Sequence, residues 1–180
     1  PPGSPRVPYA TLFRSLCFFS VSLVMHVGPL SEIVTFLQPS ASYSKLVEYA
    51  GRWRIRRDVE GKPVFLAVLE GECRLVSPGR PPIIVREGDF VLSPSTNDHV
   101  VESIDAPSHA VAMVPAEIDD GRFRIGPPGE PVNLRMQVGI CSFASPDAAL
   151  LVSLLPAMIV ARGEPRLGLL LQLVADETRM

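Results

Sequence analysis

The sequence is poor in the residues that most often carry chemistry. Cysteine occurs three times, at Cys17, Cys73 and Cys141. No CxxC or other ligand spacing links them, which argues against a zinc site. An odd, sparse count also argues against a disulfide framework and points to reduced thiols in a cytosolic protein. Histidine is as scarce, at His26, His99 and His109. There is no G-x-S-x-G setting and no phosphate loop, and Cys141 has no evident His or Asn partner. Lys+Arg is 17 against 19 Asp+Glu, a formal net charge of −2. That balance leaves no electrostatic footprint for nucleic acid within this segment. Lysine occurs twice against fifteen arginines, the bias expected of a GC-rich bacterial genome.

What is abundant is apolar residues and chain breakers. Hydrophobic residues make up 47% of 180 and charged residues 20%, ordinary globular composition for one domain with a sizeable core. Proline and glycine together number 32. So many breakers exclude a helical bundle and favour short strands joined by turns.

Residues 1–24 read as foreign to the domain. Pro1 to Pro8 is Pro-rich without periodicity, and the apolar run Leu16 to Met25 is too short to span a bilayer. It could open a signal peptide, although it lacks a small-x-small cleavage site, or it could be a first strand. The string Thr11-Leu12-Phe13-Arg14-Ser15 resembles the in-frame translation of a common sequencing adapter. That third reading is favoured, and it makes Met25 the expected native start.

Pro29 to Leu37 places Leu30, Ile33, Val34 and Leu37 at helical spacing, with Pro39 ending the helix. Strand-like runs then follow at close intervals: Arg52–Arg57, Val64–Leu69, Glu72–Ser77, Ile83–Arg86, Asp89–Ser93, His99–Ser103 and His109–Val114. Turn chemistry separates them. In Ser77-Pro78-Gly79-Arg80, Pro presets φ at the second position and Gly supplies positive φ at the third. Glu87-Gly88-Asp89 is another turn. Val64–Leu69 is apolar throughout, so both of its faces are candidates for burial. A loop rich in Gly and Pro is expected over Gly121–Pro131, then one long strand over Val132–Phe143. Ala148–Val160 has helical length, broken by Pro156. Pro165–Met180 reads as a second helix in which Leu167, Leu170, Leu171, Leu173 and Val174 supply an apolar stripe. Many short strands at this spacing predict a mainly β fold, a sandwich or small barrel.

The most informative motif is Gly88-Asp89, then Pro94, then His99. It resembles the second half of the cupin motif, G-D-x-x-x-x-P-x-G-x-x-H, in which the His points into a β-barrel. Val64 to Leu75 resembles the preceding cupin hairpin, which carries H-x-H and a downstream Glu as metal ligands. Here Leu66 stands where a His is common, and Val68 is apolar too. A catalytic metal needs several convergent donors; His99 and His109 could supply at most two, so no metal and no cofactor are expected. Further motifs follow in order: Gly28-Pro29-Leu30-Ser31, Gly51-Arg52-Trp53, Val68-Leu69-Glu70-Gly71-Glu72-Cys73, Gly129-Glu130-Pro131 and Leu154-Leu155-Pro156. Their order and spacing resemble the cupin-type ligand-binding domain of AraC-family transcription regulators over roughly residues 25–178.

The resemblance implies a double-stranded β-helix over 25–160 with a short N-terminal helix and C-terminal helices. It implies a connecting or dimerisation helix over 161–180, and DNA contact only through helix-turn-helix units that this chain does not carry. The expected function is binding of a small-molecule effector, a sugar or an aromatic or organic acid, by a non-catalytic, cytoplasmic homodimer with no membrane partner. Trp53 and His99 are the candidate pocket residues. A buried core aromatic is the bland alternative for Trp53, and a barrel-rim His bonded to a backbone carbonyl is the alternative for His99. The stripe of Pro165–Met180 suits either a dimer surface or packing on its own barrel. Two other functions remain: a metal-dependent cupin enzyme (oxygenase or isomerase) and a free-standing small-molecule-binding cupin. The charges of Arg52, Arg54, Arg56, Arg57, Asp58 and Glu60 read as a solvated strand face, and Asp119-Asp120 beside Gly121 as a turn.

Overall fold

The computed structural model describes residues 39–57, 61–94, 99–106, 113–119 and 121–162. The leader at 1–24, the helix expected over Pro29 to Leu37, the second helix at Pro165–Met180, and residues His26 and His109 lie outside the described residues. Of the strand expected over His109–Val114, only Met113 and Val114 are described, and they are irregular.

The described elements are mainly β. They are β1 (Pro39–Ala50), β2 (Arg54–Arg57), β3 (Val64–Val76), β4 (Ile83–Arg86), β5 (Phe90–Ser93), β6 (His99–Glu102), β7 (Ala116–Asp119), β8 (Arg122–Ile125), β9 (Val132–Phe143), α1 (Ala148–Ser153) and β10 (Ile159–Ala161). One sheet runs β10-β5-β3-β9-β1-β8-β7, and β3 also pairs with β4 and with β6, which in turn pairs with β2. Every pairing is antiparallel except β1 with β8. The first half of β3 sits between β9 and β5, and its second half between β4 and β6. One strand therefore belongs to both sheets, and the sheets curl over a shared core.

The composition of β3 explains how. Val64 to Leu69 are all buried, so both faces of this stretch are covered, as its unbroken apolar run predicts. The sequence motif suggested a hairpin at Glu70-Gly71, with separate strands on either side. The strand instead continues through a register shift between Val68 and Glu70. Gly71 adopts φ +83°, and a Cβ there would collide with the backbone carbonyl of Asn133. Only glycine permits both the conformation and the approach, so the chain bends without turning back. Beyond the bend, Cys73 and Leu75 face the core while Glu72 lies exposed and Arg74 is half-buried.

The turn at Ser77–Arg80 forms as its residues dictate. Arg80 N donates to the Ser77 carbonyl at 3.3 Å, and Gly79 has φ +69°.

Three readings of the sequence are corrected. β1 was not expected, because its start is rich in Ser and gives no clear period; its later part alternates Val47 and Tyr49 toward the core with Leu46 and Glu48 away. β8 occupies the start of the expected Gly121–Pro131 loop, where Arg122 to Ile125 gain their partners by parallel pairing with β1. The helix expected over Ala148–Val160 is confined to Ala148–Ser153, and Ile159–Ala161 pair with β5 as a strand. Pro156 removes a donor and disfavours helical backbone before it, and β-branched Ile159 and Val160 suit a strand. Among the described residues no helix is long and apolar enough to cross a membrane.

Candidate functional site

The space between the sheets is defined by the side-chain period of two. On β1, Val47 and Tyr49 point inward; on β3, Val64, Leu66, Val68, Cys73 and Leu75 do; on β9, Leu134, Met136 and Val138 do. Val85, Val91, Val101 and Ile125 complete this apolar interior.

Both candidate pocket residues face it. Trp53 and His99 are buried, at 0% and 4% exposure. Arg54 pairs with Glu102 and Arg57 with His99, so Trp53 sits at the Ser103 end of the β2/β6 pair and His99 at the other. Ser103 N donates to the Trp53 carbonyl at 3.0 Å, and Trp53 N donates to Ser103 Oγ at 3.3 Å. Four residues of strand separate the two ends, about 13 Å at ~3.3 Å per residue. Trp53 and His99 therefore bound the interior from opposite ends and do not form one cluster; Val101 lies between them.

The Trp53 end is closely built. Its ring lies 4.2 Å from that of Tyr49, tilted by 37°. Its indole Nε1 donates to Asn133 Oδ1 at 3.2 Å, and Asn133 Nδ2 donates to the Gly51 carbonyl at 2.6 Å. Asn133 thus fixes the indole from the far strand β9. Nothing in the local sequence around Asn133 announces this role, because its partners lie 80 residues away or more.

The Gly-Asp motif has a structural explanation. Gly88 takes φ +83°, and Asp89 N donates to the Arg86 carbonyl at 2.9 Å, closing the turn. Asp89 Oδ2 accepts from Arg86 N at 2.9 Å. Glu87 N and Gly88 N donate to the carbonyls of Gly71 and Val68, and Val68 N donates to that of Asp89, each at 3.0 Å. The motif locks the β4–β5 turn onto the bend of β3. It sets the strands from which a cupin's metal ligands project.

At those ligand positions the side chains do not fit a metal. Leu66 and Val68 face the core and have no donor atom. Among the described residues no group of three His, Cys, Asp or Glu is placed to hold an ion. The Cys73 thiol is buried nearby, and burial, with the Glu72 charge in second place, pushes its pKa up to about 12. It is a packed apolar group rather than a nucleophile.

The charged residues lie on the outer faces. Glu102 is buried between Arg54 at 3.2 Å and Arg74 at 3.0 Å, and Arg52 meets Asp105 at 3.7 Å on the surface. Arg54 and Arg56 alternate away from the core, with Arg56 exposed and Arg54 half-buried against Glu102; Asp58 and Glu60 lie outside the described residues. On the other sheet, Glu48 accepts from Arg122 at 3.2 Å and Arg135 at 3.1 Å, and Arg135 also reaches Glu70. Asp119 closes β7 next to the turn at Gly121.

This architecture and its Gly-Asp turn are those of cupins. A family model described as cupin matches residues 28–180, and the chain belongs to the cupin family. No curated protein matches the sequence. Among solved structures, the chain is similar to the protein YhaK from Escherichia coli, at 7% identity and a TM-score of 0.40, over 69% of this chain and 43% of that one. It is also similar to ToxT from Vibrio cholerae O395, at 8% identity and 0.41, over 79% and 46%. The same protein bound to (E)-4-(8-methylnaphthalen-1-yl)but-3-enoic acid matches at 7% identity and 0.42, over 78% and 49%. The chain spans less than half the length of these structures.

Proposed function

We propose that this cupin domain binds a small-molecule effector and serves as the sensory and dimerisation part of an AraC-like regulator, without catalysis of its own. The observation that carries the reading is the apolar interior, with Leu66 and Val68 where a catalytic cupin presents metal donors. The ordered motifs from Gly28 to Pro156 supply the link to the regulator family. DNA contact belongs to helix-turn-helix units beyond this segment, in agreement with its net charge of −2. A cytoplasmic homodimer is part of the same reading.

The interior also favours one class of effector over another. Among the described inward-facing residues, the polar side chains include Tyr49, Ser93, His99 and Ser103, and most of the wall is apolar. A sugar would bury several hydroxyls without partners, each costing about 1–3 kcal/mol. An aromatic acid needs one polar contact and an apolar wall.

The test is a titration of purified protein with benzoate and with a pentose, read by the fluorescence of Trp53, together with metal analysis. The reading expects saturable binding of benzoate by metal-free protein and none of the pentose. Stoichiometric metal with turnover of a bound organic acid would replace it with the cupin-enzyme reading.

A further inference from the structure

The inner face of the curled sheet carries a cation. On β1, Lys45, Val47 and Tyr49 follow one another without a register shift against β9. Val47 and Tyr49 belong to the core cluster, so the side-chain period of two turns Lys45 inward as well. Its neighbours agree. Lys45 pairs with Val138, a core residue of β9, and its Nζ lies 4.5 Å from the ring centre of Phe123, which packs against the core. The side chain is half-buried there, whereas the chain's other lysine, Lys62, is exposed at a bend.

We infer, on the reading of this domain as an effector-binding one, that Lys45 receives the carboxylate of the effector and that the acid's apolar body lies across Val138 and Leu66. The pairings Lys45↔Val138, Leu66↔Val138 and Leu66↔Val91 set these side chains in one row of the inner face. Neighbouring strands lie about 4.8 Å apart, so the row places Leu66 roughly 10 Å from Lys45. A single aromatic ring fits over Val138 and Leu66 with its carboxylate at the ammonium. Leu66 is also the position at which a His ligand is common in cupins. The row presents apolar contact at that position and holds its charge at the β1 end.

The charges around Lys45 fit an incoming anion. The carboxylates of the neighbouring strands meet arginines on the outer faces: Glu48 with Arg122 and Arg135, Glu70 with Arg135, and Glu102 with Arg54 and Arg74. On the edge strand β7, Asp119 lies opposite Arg122, and Glu117 lies opposite Phe123 at the exposed rim of the sheet. Glu117 is therefore the described strand carboxylate on the side of Lys45, and water screens it. The face of Phe123 attracts the ammonium and orients it without cancelling its charge. An ammonium has three N–H donors, and a carboxylate accepts from them in short, charge-assisted bonds. Half-burial strengthens that attraction over its value at an open surface. A neutral ligand of the same shape gains none of it, so the site selects for the acid.

Equilibrium dialysis of the whole chain against benzoate and its neutral counterpart benzamide tests this. Wild type should bind benzoate more tightly than benzamide by about tenfold or more, the worth of one charge-assisted bond. Lys45→Met should lose that preference. It should weaken benzoate by the same factor and leave benzamide within about twofold of wild type, which also shows that the variant is folded. Lys45→Gln serves the same purpose if Lys45→Met does not fold. A preference for benzoate that survives in Lys45→Met overturns the inference and leaves the effector reading standing. So does equal binding of the two ligands by wild type. Equal weakening of both ligands in Lys45→Met overturns it too, because Lys45 then serves packing alone. Wild type that binds neither ligand overturns the effector reading and the role of Lys45 with it.

Discussion

Asn133, an exposed residue of β9, holds the buried indole of Trp53 in place. Its Oδ1 accepts the indole N–H at 3.2 Å while its Nδ2 donates to the Gly51 carbonyl at 2.6 Å. One amide thereby joins β9, the β1–β2 connection and the chain's single tryptophan. Replacing it with Leu leaves the indole N–H and the Gly51 carbonyl without these partners. Asn133→Leu should destabilise the domain by about 1–3 kcal/mol. A urea melt reads the loss, and the Trp53 emission should shift to the red as water reaches the indole.

Gly71 and Gly79 both have positive φ, yet they should respond differently to alanine. At Gly79 nothing lies within reach of a new Cβ, and the cost is the left-handed backbone alone, about 1–2 kcal/mol. At Gly71 the Cβ meets the Asn133 carbonyl as well. Gly71→Ala should therefore lower the melting midpoint far more than Gly79→Ala. Equal midpoints would show that the bend of β3 can relax.

Glu48 is a buried carboxylate shared by Arg122 and Arg135. Glu48→Gln keeps the shape but removes the charge that both guanidinium groups face. The arginines are about one-third exposed, so solvent screens part of the loss. A destabilisation of about 1–3 kcal/mol is expected from weakened charge-assisted bonds. It should shrink as salt is added, which denaturation at low and high ionic strength measures.

Cys73 couples stability to alkaline pH. Its ordinary pKa of 9.0 is pushed up to about 12 in the folded chain. The fold thus prefers the neutral thiol, while the unfolded chain ionises it first. The stability it contributes is complete below pH 9 and is lost progressively as pH rises from 9 toward 12. Cys73→Val has no thiol to ionise, so its stability should fall less steeply than wild type over that range. Parallel slopes in the two proteins would remove Cys73 as the cause.

Much of the β character was legible because it is local. The Ser77–Arg80 turn needs only Pro at its second position and Gly at its third. The double burial of Val64–Leu69 follows from an apolar run too regular to leave either face wet, and the lack of metal donors at Leu66 and Val68 is a matter of residue type. These features depend on neighbours a few residues apart, so composition and period alone determine them.

The tertiary structure decided what depends on distant pairing. β8 is a strand because β1 lies beside it in parallel, and Ile159–Ala161 is a strand because β5 offers an edge. Glu70-Gly71 looked like the tip of a hairpin, but the carbonyl of Asn133 fills the space a side chain would take and the strand runs on. Trp53 and His99 both face the interior, yet the register of β2 with β6 sets them at opposite ends. Register is fixed by which strands meet and where, and those partners lie tens of residues apart. No local pattern in the sequence carries that information.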